Sequence, residues 1–299
     1  MKKIYMAGAG GMLGEAFYYT FKNNYKITCS DKDVNEQWLN YLNFTNYDKY
    51  MSEVSKFSPD YLFHLGAITD LEYCEKNKEE AIQSNLEAVK YAVNISNKLN
   101  IPLLFISTAG IFDGRKDIYD EDDSPNPLCV YAHTKYEAEK YVKKNSNNFL
   151  ICRPGWMMGG GLKKDKKFIA KIIKQLLNGN KEIFIVDDKM GTPTYTYDFA
   201  KNVEILIKNQ IQGLYNIVCD GLTSRYEVSF ELLKNLNLDK KININKVSSD
   251  YFKNEYFAKR PQSERLINKN LNDLNLNIMR DWKICLKEYI ENEFNNIKL

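Results

Sequence analysis

The chain of 299 residues is 44% hydrophobic and 27% charged, a balance typical of a globular protein long enough to bury a substantial core. Its 42 basic and 39 acidic residues leave a net charge of only +3, which argues against nucleic acid or a membrane surface as a partner. The chain has no apolar run of membrane-spanning length, no signal peptide and no CxxC pair, so we expect a cytoplasmic protein with free thiols. Only two histidines are present, His64 and His133, which excludes Cys/His metal sites.

Short apolar runs alternate with amphipathic runs through the first half of the chain. This pattern predicts strands at 3–7, 25–30, 59–67, 102–108 and 148–154, and helices at 12–23, 45–57, 77–100 and from Tyr131 onwards. Strands separated by helices in this way are typical of βαβ units. We therefore predict an α/β fold in which residues 1–155 form a doubly wound parallel sheet of the Rossmann type.

The pattern loosens in the second half of the chain. It predicts helices at 168–179, 196–210 and 281–296, and strands at 182–188 and 213–218. We expect residues 156–299 to form mainly a smaller α/β substrate-binding lobe, with part of 190–218 returning to the main sheet.

A glycine-rich turn separates the first predicted strand from the first predicted helix. It consists of Gly8, Ala9, Gly10, Gly11, Met12, Leu13 and Gly14. Gly8 allows a sharp turn, Gly11 lets the backbone approach a pyrophosphate at the helix N-terminus, and Gly14 permits close packing of helix on strand. The turn therefore predicts a dinucleotide cofactor, the alternative being a glycine-rich turn without a ligand.

Asp31 follows the second predicted strand, where a carboxylate can accept hydrogen bonds from the adenosine ribose hydroxyls. Such a carboxylate repels a 2′-phosphate and favours NAD. Lys32 could offset that repulsion and Ser30 could bind a phosphate, so NADP stays open. Asp31 could also be a turn residue only, because its surroundings are rich in turn-forming residues.

Tyr131 and Lys135 lie four residues apart and therefore on one face of a helix. A nearby ammonium favours the phenolate and lowers a tyrosine pKa from its usual value of about 10, which suits the interconversion of a carbonyl and an alcohol. Thr108 ends the strand 102–108, at the edge of a parallel sheet that faces the ligand crevice. The pair alone could be a solvated helix face, but together with Thr108 and the glycine turn it predicts catalysis.

Through these motifs the chain resembles the extended short-chain dehydrogenase/reductase family over nearly its whole length. It is most similar to the dTDP-4-dehydrorhamnose reductases, in the segments STAGIFDG, DEDDSPNPLCVYAHTKYEAEK, RPGWMMG, GTPTYTYDFA and RPQSERL. The resemblance implies reduction, by NADH or NADPH, of the 4-keto group of a nucleotide-linked 6-deoxyhexulose for cell-surface sugar synthesis. It implies a catalytic set of Thr108, Tyr131 and Lys135, the last two also touching the cofactor, and a homodimer as the common assembly.

The resemblance also implies further contacts to the cofactor. They fall on Asn43, where an Asp is usual, and on Phe44, Leu65, Gly66, Ala67, Thr69 and Asn85. His64 is expected near the cofactor at a strand end, without acting as a base.

Four residues are predicted to line the substrate pocket: Trp156, Met190, Thr192 and Arg260, with Thr108 beside them. Trp156 matches the pocket tryptophan of these reductases and could stack on a sugar, or it could belong to the core. Arg260 could hold a phosphate with two hydrogen bonds, or form a surface ion pair.

Three lysines flank a Gly-rich loop where a nucleotide diphosphate could bind, although a solvated run of charges is an equal alternative. They are Lys163, Lys164 and Lys167.

Ala109 follows the triad threonine, where the similar reductases usually carry Asp, and this leaves the exact sugar open. An epimerase of the same fold and a non-catalytic regulatory subunit are the alternative functions. The intact set of Thr108, Tyr131 and Lys135 speaks against the regulatory subunit.

Overall fold

The computed structural model describes residues 1–295. Its strands are β1 Lys3–Ala7, β2 Lys26–Asp31, β3 Leu39–Tyr41, β4 Tyr61–His64, β5 Leu103–Ile106, β6 Ile118–Tyr119, β7 Phe149–Arg153, β8 Trp156–Met158, β9 Glu182–Val186, β10 Met190–Gly191, β11 Pro193–Tyr195, β12 Gly213–Asn216, β13 Thr223–Ser224, β14 Asn243–Val247 and β15 Ser263–Leu266. Its α-helices are α1 Met12–Phe21, α2 Tyr47–Phe57, α3 Leu71–Lys76, α4 Lys78–Ile82, α5 Ala88–Leu99, α6 Val130–Asn145, α7 Gly161–Lys164, α8 Phe168–Leu177, α9 Thr196–Lys208, α10 Arg225–Asn235, α11 Lys269–Asp273 and α12 Trp282–Glu293.

Seven parallel strands form the main sheet, in the order β12-β7-β5-β4-β1-β2-β3. The chain builds outwards from β1 in one direction through β2 and β3, and in the other through β4, β5, β7 and β12. The order therefore reverses between β1 and β4, and a ligand crevice opens there at the carboxyl ends of the strands. The sheet confirms the predicted Rossmann-like fold, and β12 brings a strand from the second half of the chain to its edge.

Both faces of the sheet are covered, as the continuous apolar strands require. Successive residues of β1 alternate between two apolar clusters, because side chains along a strand point to opposite faces. One cluster packs against α1, α8, α9 and α12, and the other against α2, α5 and α6. Helix α6, which carries Tyr131 and Lys135, is thus anchored by Ala138 and Val142, which are fully buried.

Three small sheets lie outside the main sheet: β13-β10-β15-β6, β11-β8 and β14-β9. Most of their strands have two to four residues, too short for a periodic pattern to reveal, and several were not predicted. Within residues 1–295 no helix combines the length and the apolar character that a membrane crossing needs. The last predicted helix, 281–296, corresponds to α12, and its final residue lies outside the described residues.

The helix predicted over 77–100 is not continuous. It is replaced by α4, a π-helical segment Gln83–Glu87 and α5, with α3 preceding it. A π-helical turn inserts one extra residue and changes which side chains face inwards. The interruption turns Asn85 into the core, where it is fully buried.

Candidate active site

The glycine turn between β1 and α1 has the shape of a pyrophosphate cradle. Gly8 has φ +79°, and a Cβ added there would collide with the backbone of Gly66; one added at Gly14 would collide with the carbonyl of Ala9. Within residues 1–295, a Cβ added at Gly11 would meet nothing within 4 Å, and no side chain caps the N-terminus of α1, for which Gly11 is the N-cap residue. The N–H groups of that first turn have no hydrogen-bond partner in the same residues, an arrangement that fits an anionic group.

Asp31 ties the glycine turn to the loop that follows β2. Its carboxylate accepts hydrogen bonds from the backbone N–H of Gly10 at 2.8 Å and of Asp33 at 3.0 Å. The contact with Asp33 is a local turn, but each carboxylate oxygen can accept a second hydrogen bond, so ribose hydroxyls also fit. Ser30 is fully buried and donates to the carbonyl of Met6, which corrects the expectation that it could bind a 2′-phosphate.

The loop after β4 lies directly beside the glycine turn. Leu65 donates its N–H to the carbonyl of Ala7 at 2.8 Å, and Gly66 packs against the ring of Phe44 so closely that no Cβ fits. The side-chain oxygen of Asn43, nearby, accepts hydrogen bonds from the N–H and hydroxyl of Thr45. These contacts fix the shape of the loop on which cofactor contacts are predicted.

Asn85 holds this loop from below. Its amide oxygen accepts the N–H of Ile68 at 2.8 Å, and its amide nitrogen donates to the carbonyl of Ile68 and to Thr134 on α6. These bonds occupy both amide protons, so Asn85 positions the loop and the catalytic helix. The predicted direct contact with a cofactor is corrected to an indirect one.

His64 ends β4 and is buried beneath the site. Its Nδ1 lies 3.1 Å from the hydroxyl of Tyr50. Burial, with a smaller effect from the charge of Lys135, lowers the pKa of His64 to about 3, so the ring is neutral at physiological pH. This agrees with the expectation that His64 is not a base.

Thr108, Tyr131 and Lys135 meet at the carboxyl end of β5. Thr108 follows β5 and accepts the N–H of Gly110 at 3.1 Å, while Tyr131 and Lys135 stand on the first two turns of α6. The Lys135 ammonium is 4.4 Å from the centroid of the Phe105 ring and makes no hydrogen bond or ion pair within residues 1–295. A buried ammonium without a partner fits the ribose hydroxyls of a nicotinamide cofactor.

The proton affinities at this triad differ from the expected ones. Burial raises the pKa of Tyr131 well above its usual value, and the nearby Thr108 hydroxyl acts in the opposite direction. Burial also lowers the pKa of Lys135 to about 7, against the effect of the Glu139 carboxylate, which raises it. The expectation that Lys135 lowers the Tyr131 pKa is therefore corrected, because burial dominates both residues.

A buried ionic network supports α6 one turn beyond the triad. The fully buried Glu139 carboxylate accepts hydrogen bonds from Ser107 at 2.7 Å and from Arg153 at 2.6 and 3.0 Å, and Lys143 lies 2.9 Å away. Arg153 ends β7 and Ser107 follows β5, so the network fastens α6 to two strands. Sequence reasoning missed it, although Glu139 continues the four-residue spacing of Tyr131 and Lys135.

Trp156 is held on three sides. Its indole N–H donates to Glu264 Oε2 at 2.7 Å, and the Arg225 guanidinium lies 3.6 Å from a ring centroid. A Cβ added at Gly191 would collide with the indole, so the Gly191 backbone also packs on the ring. This corrects the expectation that Trp156 stacks on a sugar, because its faces are already covered.

Two further pocket predictions are corrected by internal contacts. Thr192 is 1% exposed, and its hydroxyl bonds to both the N–H and the carbonyl of Leu266, so it is structural. Arg260 donates two hydrogen bonds to the Glu72 carboxylate, at 2.7 and 2.8 Å, which is the ion-pair alternative and not a free phosphate clamp.

Met190 on β10 has its sulfur 3.5 Å from the Arg265 guanidinium, and its contact with substrate stays a prediction.

The three lysines after the Gly-rich loop have separate partners. Lys164 is 1% exposed and lies 3.3 Å from Glu36 and 3.7 Å from Glu15, and Lys163 pairs with Glu36 at 2.6 Å. Neither is a free cation at a pocket, nor do they form a solvated run. Lys167 instead donates to the carbonyl and hydroxyl of Thr69, on the loop after β4.

Arg225 is a cation that the sequence analysis missed. Its guanidinium lies against Trp156 and 4.6 Å from the Phe168 ring centroid, and within residues 1–295 it makes no hydrogen bond or ion pair. Burial lowers its pKa to about 10, so it remains charged at neutral pH. It is the first residue of α10, directly after Ser224, which forms a capping box with Glu227; this motif predicts the start of a helix but does not indicate that Arg225 binds a ligand.

The chain was compared with known proteins. The family model described as RmlD substrate binding domain matches residues 1–294. A spore coat polysaccharide biosynthesis protein of Bacillus subtilis is 25% identical over 97% of this chain and 98% of its own length, and a dTDP-4-dehydrorhamnose reductase of Aggregatibacter actinomycetemcomitans is 27% identical over 78% of each chain. The crystal structure of a dTDP-4-dehydrorhamnose reductase from Bacillus anthracis in complex with NADP has a TM-score of 0.88 and 26% identity, over 97% of this chain and 99% of that one.

The family model spans almost the whole chain, and the fold and the glycine turn agree with it. The chain therefore belongs to the RmlD substrate-binding domain family and is an NAD(P)-dependent oxidoreductase of the extended short-chain dehydrogenase/reductase type.

Proposed function

We propose that the protein reduces the 4-keto group of a dTDP-linked 6-deoxyhexulose with NADH or NADPH, for the synthesis of a cell-surface sugar. The observation that carries the proposal is the convergence of Thr108, Tyr131 and Lys135 at the end of β5, in a chain whose glycine turn after β1 has the shape that a pyrophosphate needs. The relatives named as dTDP-4-dehydrorhamnose reductases support the choice of substrate.

The two halves of the chain divide the work in this proposal. Residues 1–155, completed by β12, bind the cofactor, and residues 156–295 mainly hold the nucleotide sugar. The six cysteines, all buried free thiols, support a reducing cytoplasm as the place of action.

Tyr131 is the proton donor. A bound nicotinamide supplies the hydride. Because burial keeps the pKa of Tyr131 high, its phenol is protonated at neutral pH, and the alkoxide that develops on the substrate is basic enough to take that proton. Thr108 donates a hydrogen bond to the same oxygen, and Lys135 holds the cofactor ribose with its unpartnered ammonium.

A cation would stabilise the anionic diphosphate of the substrate. Arg225 is the best candidate, since its half-buried guanidinium is charged and makes no hydrogen bond or ion pair within the described residues. A planar guanidinium can donate two parallel hydrogen bonds to phosphate oxygens. We therefore assign Arg225 the role that Arg260 was expected to play.

Oxidation of NADH and NADPH in the presence of dTDP-4-keto-6-deoxyhexulose tests the proposal. Tyr131→Phe should lower turnover by about 10²–10⁴-fold, the usual contribution of a general acid. Tyr141→Phe, about three turns further along the same helix, is the matched control and should keep wild-type turnover. Wild-type turnover in Tyr131→Phe, or an epimerised product formed without cofactor oxidation, would contradict the proposal.

A further inference from the structure

Glu264 on β15 is a carboxylate at the catalytic site to which the mechanism above gives no role. One of its oxygens, Oε2, accepts the indole N–H of Trp156 at 2.7 Å. Because Trp156 is itself fixed between Arg225 and Gly191, this hydrogen bond locks the direction in which the carboxylate points.

The second oxygen, Oε1, has no hydrogen-bond partner within residues 1–295 and lies near Gly110, two residues after Thr108. A Cβ added to Gly110 would lie 3.3 Å from Glu264 Oε1 and 3.5 Å from the Thr108 hydroxyl, so both oxygens border the same small volume. The charge of Glu264 is also felt at Tyr131, where it raises the phenol pKa. The free oxygen is therefore close to the place where the reacting ketone must sit.

The two residues that precede Gly110 offer no carboxylate acceptor. Ala109, next to Thr108, is 2% exposed and has no polar side-chain atom. Thr108 accepts the N–H of Gly110 and is committed to the ketone oxygen. A carboxylate oxygen in such a position accepts hydrogen bonds only, so its partner on the ligand must be a donor.

We propose that Glu264 is a specificity-determining residue, whose Oε1 accepts a hydrogen bond from a sugar hydroxyl on the carbon beside the ketone. The inference rests on the proposed function and narrows its substrate class to 4-ketohexoses that carry a free hydroxyl at C3. In such a substrate the C4 oxygen faces Thr108 and Tyr131, and the C3 hydroxyl faces Glu264.

Loss of the hydroxyl from the ligand leaves Glu264 unpaired, and a hydrogen bond to a charged group contributes about 1.5–3 kcal/mol. The wild-type protein should therefore bind the 3-hydroxy nucleotide sugar about 10–100-fold more tightly than its 3-deoxy counterpart, because each 1.4 kcal/mol is a factor of ten. In Glu264→Ala this preference should fall below about threefold. Glu264→Gln, which keeps an acceptor for Trp156, should be intermediate.

The test measures binding of dTDP-6-deoxyhexose and its 3-deoxy analogue by calorimetry with NADPH present, and kcat/KM for the matching 4-keto compounds. Glu255→Gln is the control, since Glu255 is exposed on the neighbouring segment. NADPH affinity of each variant should match wild type, and a cooperative thermal transition shows that each variant is folded, with Glu264→Ala expected to unfold at a lower temperature because Trp156 loses its acceptor.

An undiminished preference for the 3-hydroxy ligand in a folded Glu264→Ala variant would overturn the inference. Binding selectivity that depends on Glu264 without any turnover by the wild type would instead overturn the proposed function alone.

Discussion

The proposed cofactor side of the active site is formed mainly by backbone groups, and the proposed substrate side mainly by side chains. On the cofactor side the backbone does the work: the turn at Gly8 and Gly14 excludes any side chain, and the N–H groups of α1 are left open. On the substrate side, side chains from distant segments hold one another in place, as in the pairs Trp156–Glu264 and Arg260–Glu72. The same backbone shape can bind the pyrophosphate of any dinucleotide cofactor. Side chains, in contrast, can be exchanged to suit a particular sugar.

The two sides also differ in burial, and burial decides what a substitution costs. Glu139 on α6 and Arg153 beneath it are 0% and 1% exposed. Loss of either residue therefore leaves the other charge in the core without a partner. The Arg260–Glu72 pair has side chains 29% and 19% exposed, and water can replace a lost partner there. The Glu139–Arg153 pair should therefore tolerate little change, and the Arg260–Glu72 pair considerably more.

The largest effect is expected at Glu139. Glu139→Ala should destabilise the protein by about 3–5 kcal/mol, because it leaves the buried guanidinium of Arg153 and the hydroxyl of Ser107 without their acceptor. Urea unfolding measures this. The control is Glu137→Ala on the same helix, whose half-exposed pair with Lys140 should contribute less than about 1 kcal/mol. Equal losses in the two variants would contradict the contrast in burial.

A smaller effect is expected in the glycine turn. Gly14→Val should cost about 1–3 kcal/mol or more, since its Cβ would collide with the carbonyl of Ala9. Gly11→Ala meets no atom within 4 Å and should change stability by less than about 0.5 kcal/mol, while weakening NADPH binding by intruding on the cradle. Urea unfolding and NADPH titration of both variants separate these outcomes. Normal NADPH affinity in Gly11→Ala would remove Gly11 from the cofactor site.

The contrast between backbone and side-chain contacts also explains which features could be predicted from the sequence. The alternation of strands and helices is a local pattern, so the fold could be predicted from it. The glycine turn is also local, because the strand before it and the helix after it determine where Gly8, Gly11 and Gly14 lie. Thr108, Tyr131 and Lys135 were predicted to converge because parallel strands end at one edge of a sheet.

The substrate side could not be predicted in the same way. Arg225 and Glu264 meet at Trp156 from segments separated by 39 residues or more, and no local pattern encodes that meeting. Thr192 and Arg260 have side chains that could bind a ligand. Their hydrogen bonds are instead made to Leu266 and Glu72, and only the tertiary structure identifies these partners. Burial likewise raises the pKa of Tyr131, which Lys135 was expected to lower, because desolvation depends on packing and not on spacing.

The smallest effect is expected at the pair that joins α3 to the segment before β15. Arg260→Ala and Glu72→Ala should each cost about 1 kcal/mol, and the double variant should cost little more than either, giving a coupling energy of about 1 kcal/mol. That coupling should shrink as salt is raised, because both side chains are partly exposed and screened. Urea unfolding of the four proteins at low and high salt measures it. A coupling above about 3 kcal/mol that ignores salt would show that this pair behaves like the buried network at Glu139, and the difference between the two sides of the site would then not be one of burial.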